Sequence, residues 1–261
     1  MQAQGAISNE NESHLACPPK GASRPSEQPM NQSEVRLLLQ EEILLLALQD
    51  EKGTFFSKMY QPALGAALVA ELLLAGRVAI EDGKKRRVDL VDSRPMGEPV
   101  LDEALEKLRA AKRRASLQTW VERFSNISGL RRKVAAGLCR KGILKEDEDQ
   151  VLVLFRRKIY PQVDSRPERR MVDRLRRAIF SDSPEIDPRT VILLSLANST
   201  DLLSIPFEKR QLKERKERIK KIVKGEILGQ ATKEVVEAVQ AAVLMAVIIP
   251  SIVAATAHGG H

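Results

Sequence analysis

The stretch LLLQEEILLLALQDEKGTFFSKMYQPALGAALVAELLLAGRV, residues 37–78, decides the fold. Two segments rich in leucine and alanine flank a polar connection, which predicts two helices joined by a turn and a brief strand at Thr54–Phe56. The second helix begins at about Pro62, because proline is tolerated in a first helical turn, and Gly76 is a natural stop. The fold therefore opens with apolar helices and has only short β elements.

Two β-hairpins are predicted further along the chain. Residues 78–91 alternate in hydrophobicity around a turn at Asp82-Gly83. A helix over 130–141 leads into a second hairpin, with strands at Val151–Phe155 and Lys158–Val163. We expect a mainly α-helical, single globular domain with short β-hairpins, in which the helix and hairpin units are winged-helix-like. Later helices are predicted from Arg166, over 189–199 and over the highly charged residues 207–223.

Both ends of the chain differ in composition from its centre. Residues 1–33 are rich in Ser, Asn, Gln, Pro and Glu, which predicts a disordered tail. This tail lacks the basic and apolar regions of a signal peptide, so we expect a cytoplasmic protein. Residues 238–257 carry no charge over about the ~20 residues that a membrane span requires. Their alanines and polar residues favour a buried helix, with a tail anchor as the alternative.

The sequence offers little support for catalysis. His14, His258 and His261 lie in predicted tails, so the predicted folded body has no imidazole for acid–base work or metal binding. The common motifs for nucleotides, catalytic zinc, serine nucleophiles and paired cysteines are absent from the sequence. For Glu41-Glu42 we expect a structural role, with one side chain in solvent and the other paired with an arginine at the core edge. We predict no catalytic residue, no metal, no cofactor and no enzyme activity.

The charge of the chain indicates an anionic partner. Its formal net charge is +8 and its isoelectric point is about 9.6. Aromatic residues make up only 3% of the chain, which argues against a stacking platform for single-stranded nucleic acid. Together the basic runs predict a coherent positive surface that suits a membrane or a nucleic acid. The runs lie at residues 84–87, 112–114, 131–133, 156–158 and 169–170, and at Arg174, Arg176 and Arg177.

Four segments in a fixed order resemble a known family. They are LLLQEEILLLALQDEKG with ALVAELLLAGRV, VLDEALEKLRAAKRRASLQTWVERFS, LRRKVAAGLCRKGILKEDED, and VLVLFRRKIYPQVDSRPERRMVDRLRRAIF. This order resembles the Golgi phosphoprotein 3 family of peripheral membrane proteins, which bind phosphatidylinositol 4-phosphate. The resemblance implies a last helix packed inside the domain and ending near Pro250. The expected domain therefore covers residues 34–250 and is followed by a tail over 251–261.

The resemblance also implies a lipid head-group site, from which this chain departs. Family members hold the head group with a tryptophan and three arginines, whose positions fall on Phe56, Gly65, Ser128 and Arg131. A phosphomonoester is normally held by several converging donors, so Gly65 and Ser128 predict weak head-group selectivity. The predicted lipid-binding residues are Phe56, Arg131, Arg132 and Lys133.

Self-association is expected through the second hairpin. The run Val151–Phe155 is apolar on both faces, which a solvent-exposed hairpin would not tolerate. The resemblance points the same way, because family members use this hairpin in oligomer contacts. The predicted contact residues are Val151, Val153, Phe155, Ile159 and Tyr160.

These observations favour a peripheral membrane adaptor that binds phosphoinositide or other anionic lipid through a basic face. We expect the protein to lie on the cytoplasmic face of a membrane. In a eukaryote that membrane would be the Golgi. Family members recruit coat proteins through arginines in the N-terminal tail, but here that tail has only Lys20 and Arg24, as expected of bacterial relatives. Two alternatives stay open: a nucleic-acid-binding winged-helix-like protein and a structural interaction module. The sequence names no protein cargo.

Overall fold

The computed structural model describes residues 35–48, 60–81, 86–151, 155–183 and 186–226. These residues form helices joined by short loops and two β-hairpins, which confirms the mainly helical class. The predicted strand at 54–56 and the apolar segment 238–257 lie outside the described residues. The helices are α1 (Leu39–Leu46), α2 (Tyr60–Leu74), α3 (Pro99–Arg109), α4 (Leu117–Ser125), α5 (Leu130–Arg140), α6 (Arg166–Phe180), α7 (Pro188–Ser199), α8 (Lys209–Glu214) and α9 (Lys216–Val223), with a 3₁₀ turn at Leu202–Ser204. The strands are β1 (Val78–Ile80), β2 (Val88–Leu90), β3 (Asp147–Val151) and β4 (Phe155–Ile159).

Helix α1 lies at the centre of the fold. All of its residues are buried, and it contacts α2, α5, α6 and α7. Helices α2 and α7 are also apolar all round, with residues 63–72 and 190–197 continuously buried. A helix that is hydrophobic on every side must be enclosed by other elements. The leucine-rich opening of the domain is therefore its core, and amphipathic helices such as α6 cover it.

Three glutamates on the central helices are buried, and each pairs with a cation on another helix or directly after one. Glu41 and Glu42 are both only 2% exposed, so the expectation that one of them faces solvent is wrong. The reason is that α1 is covered by α5 on one side and by α6 on another. Burial raises the pKa of both carboxyls, and the paired cations act in the opposite direction. The pairs are Glu41 with Lys141, Glu42 with Arg174 and Glu71 with Arg189.

Helices α2 and α4 cross in very close contact at Gly65. A Cβ atom at this position would lie 2.6 Å from the Val121 carbonyl oxygen and 2.7 Å from the Ser125 nitrogen, and closer still to Ser125 Oγ. Ser125 Oγ itself donates to the Val121 carbonyl at 2.7 Å, which holds it against the α4 backbone. The Gln61 amide donates to the Ser125 carbonyl oxygen at 3.1 Å across the same crossing. Only glycine fits this contact between two helix backbones.

Both predicted hairpins are present as two-stranded antiparallel pairs. The first lies within the predicted residues 78–91, and in it Val78 pairs with Leu90 and Ile80 with Val88. Its predicted turn at 82–83 lies outside the described residues. The winged-helix-like character of the helix and hairpin units stays a prediction.

The second hairpin begins earlier than predicted. Its first strand is Asp147–Val151 and its second is Phe155–Ile159. Glu148 pairs with Lys158, and Asp149 pairs with Arg157. The opposite charges of Glu148 and Lys158 favour this register, and the acidic residues 147–149 belong to the first strand of the hairpin.

The predicted helix over 207–223 is broken at Arg215 into α8 and α9. The Arg215 guanidinium donates to the Phe180 carbonyl oxygen at 3.0 Å, and Arg218 donates to the Ala178 carbonyl oxygen at 2.9 Å. These bonds satisfy carbonyl groups at the C-terminal end of α6, which a helix leaves without internal partners. Across the described ranges, no helix is both long enough and apolar enough to cross a membrane.

Candidate lipid-binding surface

The predicted basic residues 131–133 lie in the first turn of α5. The helix follows Gly129, whose φ of 66° is in the left-handed region that favours glycine. Leu130, Val134 and Leu138 bury one face of α5. Burial of this face sets the rotation of the helix, so the basic residues between these anchors are turned toward its outer sides.

The three cations point in different directions, because successive helical residues are rotated by about 100°. Arg131 is half-buried, whereas Arg132 and Lys133 are exposed. The Arg132 guanidinium folds back over the helix start, and its Nη2 lies 3.2 Å from where a Cβ of Gly129 would be. Lys133 Nζ instead donates to the Glu103 carboxylate of α3. Arg132 is therefore the most available of the three for an external anion.

Strand β4 adds a further cation to this region. Lys158 Nζ donates to the Glu146 carboxylate, which raises the pKa of Lys158, while the charge of Arg132 opposes that rise. Burial raises the pKa of the Tyr160 phenol, with Arg131 and Lys158 acting against it. The charge of Arg132 therefore acts on Lys158, and the charges of Arg131 and Lys158 both act on Tyr160. We define the α5 basic surface as Arg131, Arg132, Lys133 and Lys158.

The position of this surface at a helix start has an electrostatic consequence. The N-terminal end of a helix carries partial positive charge, so basic side chains near it are unfavourable. A bound anion that contacts both the helix end and the basic side chains would remove this repulsion. The first turn of α5 contains no acidic residue, and Gly129 provides no side-chain cap. Arg132 has no carboxylate partner within the described part of the chain. An exposed arginine fork at the positive end of a helix suits an oxyanion.

The other residues of the predicted lipid site fall in different environments. Phe56 lies outside the described residues. Ser128 is exposed in the turn before α5, next to the α5 basic surface. Gly65 is buried in the crossing of α2 and α4, where no arginine fits. The absence of a side chain at position 65 therefore has a packing reason in this chain.

Not every residue of the predicted oligomer hairpin is available at a surface. Tyr160 is completely buried and Ile159 is half-buried, so Tyr160 belongs to the core of its own chain and not to a contact between chains. Its place follows from Leu144, which forms a bridge with Gln162 and holds this part of the chain against the body. Val153 and the side chains of Val151 and Phe155 lie outside the described residues.

Sequence reasoning listed Lys158 only as part of a basic run, without joining it to residues 131–133, and it missed Glu103 as a partner of Lys133. Lys158 joins Arg132 only through the register of the β3–β4 hairpin, which composition does not report. Glu103, the partner of Lys133, comes from α3 and has the appearance of an ordinary acid near a helix start. The acidic residues 146–149 and the basic residues 156–158 could have been predicted to face each other in a hairpin. That pairing was the one feature of the sequence that indicated the position of Lys158.

Comparison with known proteins assigns the family. The family described as Golgi phosphoprotein 3 (GPP34) matches residues 39–239. The chain is also similar to the vacuolar protein sorting-associated protein 74 of Eremothecium gossypii, with 29% identity over 184 aligned residues. That alignment covers 62% of this chain and 55% of the relative, so the chain spans about half the length of that relative. Because the family match extends over residues 39–239, which is most of the chain, this protein belongs to the Golgi phosphoprotein 3 family.

Proposed function

We propose that this protein is a non-enzymatic peripheral membrane adaptor that binds anionic lipid through the α5 basic surface. The observation that carries the proposal is the exposed Arg132 at the uncapped, acid-free start of α5, in a chain of this family. The lipid class is a phosphoinositide such as phosphatidylinositol 4-phosphate, or another anionic lipid. The domain extends over 34–250, and in a eukaryote it associates with the cytoplasmic face of the Golgi.

Selectivity among anionic lipids is expected to be weak. A phosphomonoester is recognised by several donors that converge on it. Position 65 supplies no side chain and position 128 supplies only a serine. Lys133 is engaged by Glu103, and Lys158 by Glu146. Binding at this surface therefore depends more on lipid charge than on head-group shape.

Arg132→Ala is expected to weaken binding to vesicles that contain phosphatidylinositol 4-phosphate by about fivefold, because each basic residue near an anionic membrane contributes about 1 kcal/mol. Lys133→Ala is expected to have a smaller effect, since Lys133 already pairs with Glu103. Flotation over a salt series measures both changes, and wild-type binding should disappear at high salt as the charges are screened.

Arg113→Ala is the matched control for this experiment, because Arg113 is an exposed arginine outside the α5 basic surface. An equal loss in the Arg113 and Arg132 variants would reduce the effect to net charge and contradict the proposed site. A strong preference for the 4-phosphate that persists in Arg132→Ala would do the same. Tighter binding to duplex DNA than to vesicles at equal salt would favour a nucleic-acid partner.

We also propose that the protein self-associates through the apolar end of the β3–β4 hairpin. Replacing Val151 and Val153 by serine is expected to reduce the mass in solution to that of one chain, 29.1 kDa. The physical reason is loss of the apolar surface that a contact between hairpins would bury. Light scattering measures the mass directly.

Val163→Ser is the control for this variant, because Val163 is 60% exposed but lies beyond the hairpin. Deleting residues 151–163 is less informative, because the deletion would also remove the buried Tyr160 from the core. An unchanged mass in the double serine variant would exclude the hairpin as the contact.

A further inference from the structure

Helices α8 and α9 carry a concentration of positive charge that is separate from the α5 basic surface. Residues 207–224 contain nine basic and three acidic residues. Four lysines on these two helices are exposed, and none of the four has a carboxylate partner among the residues that the structure describes. We define the α8–α9 lysine surface as Lys209, Lys213, Lys216 and Lys220.

The arginines of this segment differ from these lysines, because they have partners within the domain. Arg215 and Arg218 donate to carbonyl oxygens at the end of α6. Arg210 pairs with Glu214 one turn further along. The apolar side of α9 is buried through Ile219, Ile222 and Val223. The contacts that hold α8 and α9 to the domain therefore leave the four lysines in solvent.

The spacing of the lysines is unfavourable for the free domain. Lys209 and Lys213 are four residues apart on α8, and Lys216 and Lys220 are four residues apart on α9. Side chains at this spacing are neighbours on a helix, and two like charges there destabilise it. A partner that places carboxylates between the lysines would replace this repulsion with attraction.

The α8–α9 lysine surface lies on the opposite side of the core from the α5 basic surface. Helix α9 packs against α7, α7 packs against α1, and α1 packs against α5. Residues 190–197 of α7 are continuously buried, so α9 covers the side of α7 that faces away from α1. A membrane bound at the α5 basic surface would therefore leave the lysines of α8 and α9 facing the solvent.

We propose that the α8–α9 lysine surface binds an acidic segment of a partner protein. The orientation away from the membrane rests on the proposed lipid-binding function, whereas the charge and exposure of the surface do not. A helix that binds a membrane surface presents apolar side chains to it, but the apolar residues of α9 are buried in the domain. Glu208 and Glu217 are exposed on the same segment and would repel a continuous phosphate backbone. A protein segment can instead place its carboxylates opposite the lysines alone.

Fluorescence anisotropy of a short, labelled poly-L-glutamate, titrated with the full chain at physiological ionic strength, tests the proposal. Saturable binding is expected in the wild type. The double variant Lys216→Glu with Lys220→Glu is expected to weaken it about tenfold or more, because two attractions become repulsions. Replacing the same two lysines by glutamine should give a smaller loss, since it removes the attraction without adding repulsion. Thermal melts of both variants check that they fold.

Lys112→Glu with Arg113→Glu is the matched control, because both residues are exposed and the change in net charge is the same. The proposal is overturned if poly-L-glutamate does not saturate, or if this control weakens binding as much as the glutamate variant of α9. Tighter binding to duplex DNA than to poly-L-glutamate, lost in the α9 variant, would assign the surface to nucleic acid and overturn it as well.

The same variants separate this proposal from the lipid proposal. Arg132→Ala should leave binding to poly-L-glutamate unchanged, and the α9 glutamate variant should weaken vesicle binding no more than the Lys112 and Arg113 control does. A larger loss of vesicle binding in the α9 variant would make α9 part of the lipid surface and overturn a protein partner there. If Arg132→Ala leaves vesicle binding intact, the lipid site is wrong, while the result with poly-L-glutamate still decides the role of the lysines.

Discussion

Arg174→Met is expected to lower the free energy of unfolding by about 3 kcal/mol at pH 8, because it leaves the carboxylate of Glu42 buried without its main partner. Glu42 is 2% exposed in the centre of the fold. Methionine keeps the aliphatic stem of Arg174, so the change isolates the lost charge from lost packing. The value is at the lower end for a buried pair, because the Arg174 side chain is 31% exposed. Urea unfolding gives the measurement.

The loss should depend on pH. Burial already raises the pKa of Glu42 above its ordinary value of 4.5, and Arg174 opposes that rise. Without Arg174 the pKa of the folded state rises further, so between 4.5 and that new pKa the folded protein binds more protons than the unfolded chain. Stability then falls as pH rises through this window. We expect Arg174→Met to be less destabilising at pH 5 than at pH 8.

The double variant Glu42→Gln with Arg174→Met is the control for this prediction. It has no titrating group at position 42, so its own stability should lack the pH dependence that Glu42 gives to the single variant. It should also recover part of the stability lost in the single variant, because no unpaired charge is buried. A single variant that is no less stable than wild type at pH 8 would show that Arg174 does not neutralise Glu42.

Gly65→Ala is expected to destabilise the protein by about 3 kcal/mol, at the upper end for overpacking. The added methyl group would meet the Val121 carbonyl oxygen and the Ser125 nitrogen, which are backbone atoms of α4 and cannot rotate away. At an uncrowded position in a helix, the same change stabilises by about 0.5–1 kcal/mol. The sign of the effect in urea unfolding therefore reports the helix crossing directly.

A second variant separates the side chain of Ser125 from its backbone. Ser125→Ala removes the hydroxyl that lies nearest to the new methyl group but leaves both backbone contacts. We expect Gly65→Ala to remain destabilising in that background. Full recovery would mean that the hydroxyl, and not the approach of the two backbones, requires glycine at position 65.

The helices of this protein were largely predictable, because their apolar residues recur at helical spacing. Met171, Leu175 and Ile179 are buried on one face of α6, as predicted. The helix at 188–199 and the hairpin at 78–90 also match their predicted places closely. The order of four segments was sufficient to recognise the family, which the match over residues 39–239 confirms. Local patterning carried these results, since each concerns residues close together in the chain.

The candidate site was less predictable, because it depends on which distant elements meet. Residues 131–133 form one basic run in sequence, yet only Arg132 is turned over the open start of α5 while Lys133 is held by Glu103. Lys158 joins them through the hairpin register, and Tyr160 is withdrawn into the core. The number of charged residues in a segment does not show which side of the helix each of their side chains lies on.

The sequence by itself determined the mainly helical class, the positive charge and the family of this protein. The spacing of apolar residues indicates the helices, and the order of the segments indicates the family, and both can be seen without knowing which elements meet in space. Only the tertiary structure shows which cations pair with the buried glutamates and why glycine is required at position 65. Glu42 is neutralised by Arg174, which is far away in sequence, and Gly65 is needed because two helix backbones meet there. Close packing and desolvation act on distances in space, and these are set only when the helices have docked.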